Sequence, residues 1–199
     1  MTLRRFWPDR LDDGLRERLE ASYGDSRRGY HDLRHLREVL EHVEELMEAE
    51  NPALEAVLLA AWFHDAVYDG RPDDEERSAR LAEDSLEPPL GAGLAREVGR
   101  LVRLTATHRP ADDDLAGQVL CDADLAILAA GPERYADYVA GVRREHAHVP
   151  DADFATGRAS VLRDLLAKPA LFHTAVGRER WEEPARENVA VELSSLSDG

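Results

Sequence analysis

The sequence holds a single cysteine, Cys121, which excludes an intramolecular disulfide and a cysteine-rich zinc site. Such usage suits a reducing compartment. Lysine is equally scarce: Lys168 stands alone and every other basic residue is arginine, a compositional bias that carries no functional clue. Positive charge is short altogether. Against 25 Lys and Arg stand 41 Asp and Glu, a formal net charge of −16. That balance argues against nucleic acid or an anionic membrane surface as the main partner. Long apolar runs are missing too. The longest, Ala56 to Phe63, is far short of the roughly 20 residues a spanning helix needs. The opening Met1-Thr-Leu-Arg-Arg-Phe-Trp-Pro-Asp has no apolar stretch of the kind a signal peptide carries. The expectation is a cytoplasmic protein with no membrane segment. The sequence also contains no Gly-x-Ser-x-Gly elbow, no Gly-x-x-x-x-Gly-Lys phosphate loop and no dinucleotide glycine fingerprint.

What is present is helix. The 199 residues are 43% apolar and 33% charged, enough for one domain with a sizeable core. Pro8 suits a first helical turn, and Leu11, Leu15 and Leu19 recur at four-residue spacing until Gly24. Leu33, Leu36, Leu40, Val43 and Met47 predict a second helix from about Tyr30 to Glu48. Asn51-Pro52 opens a third, Ala53 to about His64, apolar nearly all round and therefore the buried central one. Asp73 and Glu76 form a capping box for a fourth helix that Pro88-Pro89 ends. A fifth carries Leu94, Val98, Leu101 and Val102 and closes at Pro110. Further helices are expected at 119–130, 132–148, 152–167 and 178–196. Strand-like alternation is absent, as are repeats and linkers. The expected architecture is a single all-α domain over residues 1–199, with loose ends at both termini.

Eight histidines carry the possible chemistry, and context selects among them. His31 and His35, four apart, share one face of the predicted second helix. His64-Asp65 ends the most apolar helix, where ionisable groups are costly unless paired. A cation is a natural partner there, because a helix C-terminus already carries partial negative charge. Asp122-Ala-Asp124 falls inside another apolar run. A His-Asp pair alone means little: composition gives about 0.8 of them by chance, and His31-Asp32 is a second one. The signal lies in three separated elements in order, His-x-x-x-His, a buried helix ending in His-Asp, and a later Ala-Asp-Leu.

That order resembles the HD superfamily of metal-dependent phosphohydrolases. Arg28-Gly-Tyr-His-Asp-Leu-Arg-His-Leu36, Ala61-Trp-Phe-His-Asp-Ala-Val-Tyr-Asp69, Asp74-Glu-Glu-Arg-Ser-Ala79 and Asp122-Ala-Asp-Leu-Ala-Ile-Leu128 look like one bacterial branch of predicted metal-dependent HD phosphohydrolases. Val142-Arg-Arg-Glu145 and Ala185-Arg-Glu-Asn188 fit the same pattern. The resemblance covers about Tyr23 to Leu193 and implies an all-α HD-type helical bundle. It also implies His35, His64, Asp65 and Asp124 as ligands of one divalent ion: Mn, Co, Ni, Fe, Zn or Mg. His35 is preferred over His31 because the family's ligand histidine is followed four positions later by Val, here Val39. Asp124 is preferred over Asp122 because the last ligand sits in Ala-Asp-Leu. Similarity to cyclic-nucleotide phosphodiesterases implies His31 as the general acid or a ligand of a second metal. Asp65 or Asp124 is the expected acceptor of the water's proton.

Arg28 is a candidate phosphate contact. His108 is a candidate for phosphate contact, a second metal or plain packing. Glu75, Glu76 and Arg77 either orient water or cap their own helix, and Arg143 with Glu145 are read as surface helix charges or, alternatively, as a buried ion pair. His42, His146, His148 and His173 are assigned no role, and Cys121 has no basic neighbour to activate it. The implied activity is hydrolysis of a phosphoester or phosphoanhydride in a small phosphorylated substrate such as a nucleotide, by metal-activated water. Two other readings stand beside it, a dinuclear-iron HD-type oxygenase and a non-catalytic metal-containing ligand sensor.

Overall fold

Leu15 and Leu19 line the buried face of α1 (Asp13–Tyr23) in the computed structural model, which describes residues 3–48 and 50–197. A short 3₁₀ turn, Leu3–Phe6, precedes it, and Pro8 lies between the two rather than inside a helix. The helices α2 (Leu33–Leu46), α3 (Leu54–Phe63), α4 (Asp74–Leu90), α5 (Ala92–Leu104) and α6 (Leu115–Leu125) follow. A second 3₁₀ turn, Ala126–Ala129, leads to α7 (Pro132–Glu145), α8 (Asp151–Ala167), α9 (Ala175–Arg180) and α10 (Glu182–Ser197). No strand occurs among the described residues, so the chain is all-α as expected. No single helix is long and apolar enough to cross a membrane. The loose ends expected at the termini fall on residues 1–2 and 198–199, outside the described residues.

The described residues gather into two compact units, Met1–Asp25 with His31–Asp124, and Ser26–Tyr30 with Leu125–Gly199. In the first, α3 is the centre, as its composition demands: Val57, Leu59, Ala60, Ala61, Trp62 and Phe63 are all inaccessible to solvent. It packs against α2, α4 and α5. Burial of this helix leaves its last turn, and the His64 that closes it, inside the bundle. In the second unit α10 packs on α8, α9 and the second 3₁₀ turn. There the Asn188 side chain donates to the carbonyls of Leu128 and Ala130, both at 2.9 Å.

Several helix ends differ from the expected ones, each for a local reason. The second helix starts at Leu33, three residues late, because the Asp32 carboxylate accepts from the N–H groups of Arg34 (2.8 Å) and His35 (3.1 Å) and caps it. His31 therefore precedes the helix and does not share a helical face with His35. Pro88 and Pro89 lie within α4, whose end comes at Gly91, φ +86; the last turn simply forgoes their N–H groups. The Asp73–Glu76 capping box does not form, because Glu76 binds Arg103 (2.6 Å) and Arg80 (2.8 Å). The segment expected as one helix over 178–196 is broken at Trp181, between α9 and α10.

Candidate metal centre

Each donor reaches the centre from a different place in the first unit. His35 lies in the first turn of α2 and is oriented by the Asp32 cap. His64 is the residue that closes α3, its N–H still bonded to the Ala60 carbonyl at 2.8 Å. Asp65 follows it, and Asp124 lies in the last turn of α6. Both imidazoles are 1% exposed. Their Nε2 atoms face each other at 3.1 Å. Asp65 Oδ2 lies 3.1 Å from His64 Nε2 and 3.5 Å from His35 Nε2. Asp124 Oδ1 lies 3.2 Å from His35 Nε2 and 3.7 Å from His64 Nε2. One donor atom each from His35, His64 and Asp124 lies within 4.8 Å of the others.

These separations fit a cation. Bonds of ~2.0–2.2 Å put neighbouring donors roughly 3.0 Å apart in octahedral and 3.4 Å apart in tetrahedral geometry. Three mutually close donor atoms, from His35, His64 and Asp124, with Asp65 Oδ2 beside both imidazoles, have the chemistry of a site for a divalent transition metal. The tautomer agrees. His64 Nδ1–H donates to the Ala61 carbonyl at 2.8 Å, which leaves the Nε2 lone pair aimed at the centre.

Electrostatics bind the cluster together without an ion. Burial disfavours the charged imidazolium of His35, yet the Asp124 and Asp65 carboxylates outweigh it and hold the group up at about 9. His64 is likewise raised, against its burial, by Asp65 and Asp124. Burial would raise Asp65, but His64 and then His31 pull it well below the usual carboxylate range. Asp124 is lowered for the same reason, by His64, His108 and His35. All of this charge sits on the centre of the bundle.

Residues around the donors hold them in place. The Tyr23 hydroxyl, buried at the end of α1, accepts from the Asp65 N–H at 3.2 Å. Ser78 Oγ accepts from the Val67 N–H at 3.0 Å and donates to the Val67 carbonyl at 3.3 Å. Asp74 Oδ2 accepts from the N–H groups of Asp69 (2.8 Å) and Arg71 (2.9 Å). Together they fix the loop that carries Tyr68, whose ring stacks on His31 at 4.3 Å between centroids. Sequence reading missed Tyr23, Tyr68 and the loop-fixing roles of Asp74 and Ser78. A hint was available, since Asp74 and Ser78 are polar residues on the buried side of α4.

The other candidates fall out as follows. His31, ahead of α2, still brings its ring to 5.6 Å from the His35 ring, in a T-shaped arrangement. His108 Nε2 lies 2.8 Å from Asp124 Oδ2. Asp122 is buried on α6 but is not among the donors that converge. Arg77 is committed to Asp69 and Asp74, and Glu76 to arginines. Cys121 is buried. Arg28 is half-buried and belongs to the second unit. Arg143 and Glu145 do not pair with each other: two apart on α7, they face different ways. Arg143 donates to the carbonyls of His146 and Val149 and to Asp151, whereas Glu145 accepts from the N–H groups of Gly29 (2.9 Å) and Tyr30 (2.8 Å).

Residues 32–126 match the family model described as HD domain. No curated protein and no solved structure matched the chain. The match contains all four converging residues, two imidazoles and two carboxylates, and begins one residue after His31. HD domains are typically those of metal-dependent hydrolases. The stretch that builds the centre, residues 32–126, is thus an HD domain of the HD superfamily.

Proposed function

We propose that the protein is a metal-dependent phosphohydrolase that cleaves a phosphoester or phosphoanhydride in a small phosphorylated substrate, nucleotides being the first class to test. The observation that carries this reading is the convergence of two buried imidazoles and two carboxylates, 3.1–3.7 Å apart, inside an HD domain. His35, His64, Asp65 and Asp124 would hold one divalent ion. When bound, that ion would supply an acidified water and polarise a phosphoryl oxygen. Asp65 or Asp124 would accept the proton. His31, beside the donors and stacked on Tyr68, holds a proton for the leaving oxygen. Burial of the imidazoles keeps bulk water from competing for these groups.

The test is a panel of nucleotides and activated phosphoesters offered to protein supplied with Mn or Co. Phosphate or pyrophosphate should be released from at least one, and a chelator should stop it. No release anywhere from protein shown to hold metal, with iron-dependent oxygen uptake instead, gives the chain to the oxygenase reading. Tight binding of a phosphorylated ligand without turnover gives it to the sensor.

A further inference from the structure

Of the described residues, His108 is the non-glycine that the backbone places in the left-handed region, at φ +50. An L side chain pays for that conformation, which glycine adopts freely. The position closes the turn that follows α5: the His108 N–H bonds to the Leu104 carbonyl at 2.9 Å. A glycine would close that turn without the strain. What the histidine adds is its ring, which is partly exposed at 20% and whose Nε2 lies 2.8 Å from Asp124 Oδ2.

That contact acts on Asp124, which comes from α6, a different element from the α2 and α3 that bring the imidazoles. A carboxylate free to turn about its own bonds presents either oxygen in many directions. Here one oxygen is tied to His108 and the other, Oδ1, faces His35 and His64. An ionised carboxylate only accepts hydrogen bonds, so the proton in this pair sits on His108 Nε2. A protonated ring nitrogen has no lone pair to give a metal.

We propose that His108 is a positioning residue: it binds Asp124 Oδ2 so that Oδ1 alone is offered to the two imidazoles, and the strained turn after α5 is retained to place its ring. It follows that Asp124 ligates through one oxygen and that His108 is not itself a ligand. The proposal rests on the reading of the four donors as a metal centre.

Three variants of the full chain separate the turn from the ring. His108→Gly relieves the backbone and removes the ring. His108→Asn keeps a residue suited to the left-handed region but falls short of Asp124. His108→Gln places a side-chain N–H about where Nε2 stands. Measured by competition against a chelator with Mn or Co, the Gly and Asn variants should bind metal 10–100-fold more weakly at an unchanged one ion per chain. The Gln variant should recover most of that loss. Thermal melting of the metal-free protein should not fall in step with affinity, and for His108→Gly it should hold or rise. Wild-type affinity in the Gly and Asn variants overturns the proposal. So does a wild type with two ions per chain that drops to one when His108 is replaced. A metal-free arm reads the pair directly: the imidazole N–H of His108 should give a downfield, slowly exchanging proton resonance that disappears in Asp124→Ala. Its absence from the wild type overturns the proposal even if metal binds. Failure of the wild type to bind metal, with that resonance present, defeats the metal-centre reading while the pair itself stands.

Discussion

His31 and His35 put their rings 5.6 Å apart, but from different backbone settings, one before the Asp32 cap and one after it. The two should therefore fail differently. His35→Ala removes a buried donor that faces both carboxylates, and it should lose metal and all turnover. His31→Ala leaves four donors in place, and it should keep the metal while losing roughly 10²–10⁴-fold in turnover, the usual contribution of a positioned acid. The loss should shrink for nitrophenyl esters, whose leaving groups need little protonation. Metal analysis beside steady-state rates on paired substrates checks this; loss of metal from His31→Ala with retention in His35→Ala would reverse the two assignments. At this scale much of the site was legible. His64-Asp65 and the Asp122-Ala-Asp124 run stood out because ionisable groups in apolar segments demand a partner, while the family resemblance chose His35 over His31 and Asp124 over Asp122; the structure brings His35, His64 and Asp124 together, with Asp65 beside both imidazoles. The Tyr23 hydroxyl was not legible, because its partner, the Asp65 N–H, lies 42 residues away and neither residue type announces the bond.

Helix existence followed from periodicity, and helix ends did not. Apolar spacing marked α2 and α5 because one buried face must repeat about every 3.6 residues, and α3 stood out by being apolar nearly all round. The start of α2 depended instead on a single side chain. Asp32→Ala should cost about 1 kcal/mol through loss of two hydrogen bonds to the first turn. In a chain of this size that lowers the melting temperature by roughly 2–4 °C. Because the cap also orients His35, metal affinity should fall with it, whereas Asp32→Asn or Ser should restore most of both. An unaltered melting curve for Asp32→Ala would show that the cap contributes nothing. In the second unit, α7 meets the segment before α2 backbone to backbone. A Cβ on Gly141 would stand 2.6 Å from the Gly29 carbonyl oxygen, with no flexible side chain to yield. Gly141→Ala should therefore destabilise by roughly 1–3 kcal/mol as the two backbones are forced apart, measurable by urea unfolding. Nothing in the sequence distinguishes these two glycines from the other eleven, since close approach is a tertiary property.

Across the molecule, chain order and contact order disagree. Ser26–Tyr30 belongs to the second unit although the first unit surrounds it in sequence. A cut after Asp124 therefore deprives the second unit of the N–H groups bound by Glu145 and of the Tyr30 ring, 4.6 Å from that of Tyr138. We propose that the chain unfolds as one domain, and a fragment of residues 125–199 should show little cooperative melting. The same unit buries an ion pair, Arg158 with Glu192 at 2.7 Å, side chains 10% and 5% exposed, and Tyr135 donates to Glu192 at 2.6 Å. Glu192→Leu strands the Arg158 charge and should cost roughly 3–5 kcal/mol, while Arg158→Met with Glu192→Leu should cost far less. Chemical unfolding of the two variants distinguishes a stranded charge from simple loss of packing. The central claim, a metal centre built by the HD domain, is tested most directly by metal content per chain in purified protein and in folded His64→Ala and Asp65→Ala. Wild type should carry about one divalent transition metal and both variants essentially none. A wild type that takes up no metal, or variants that keep it in full, would contradict the assignment of these residues.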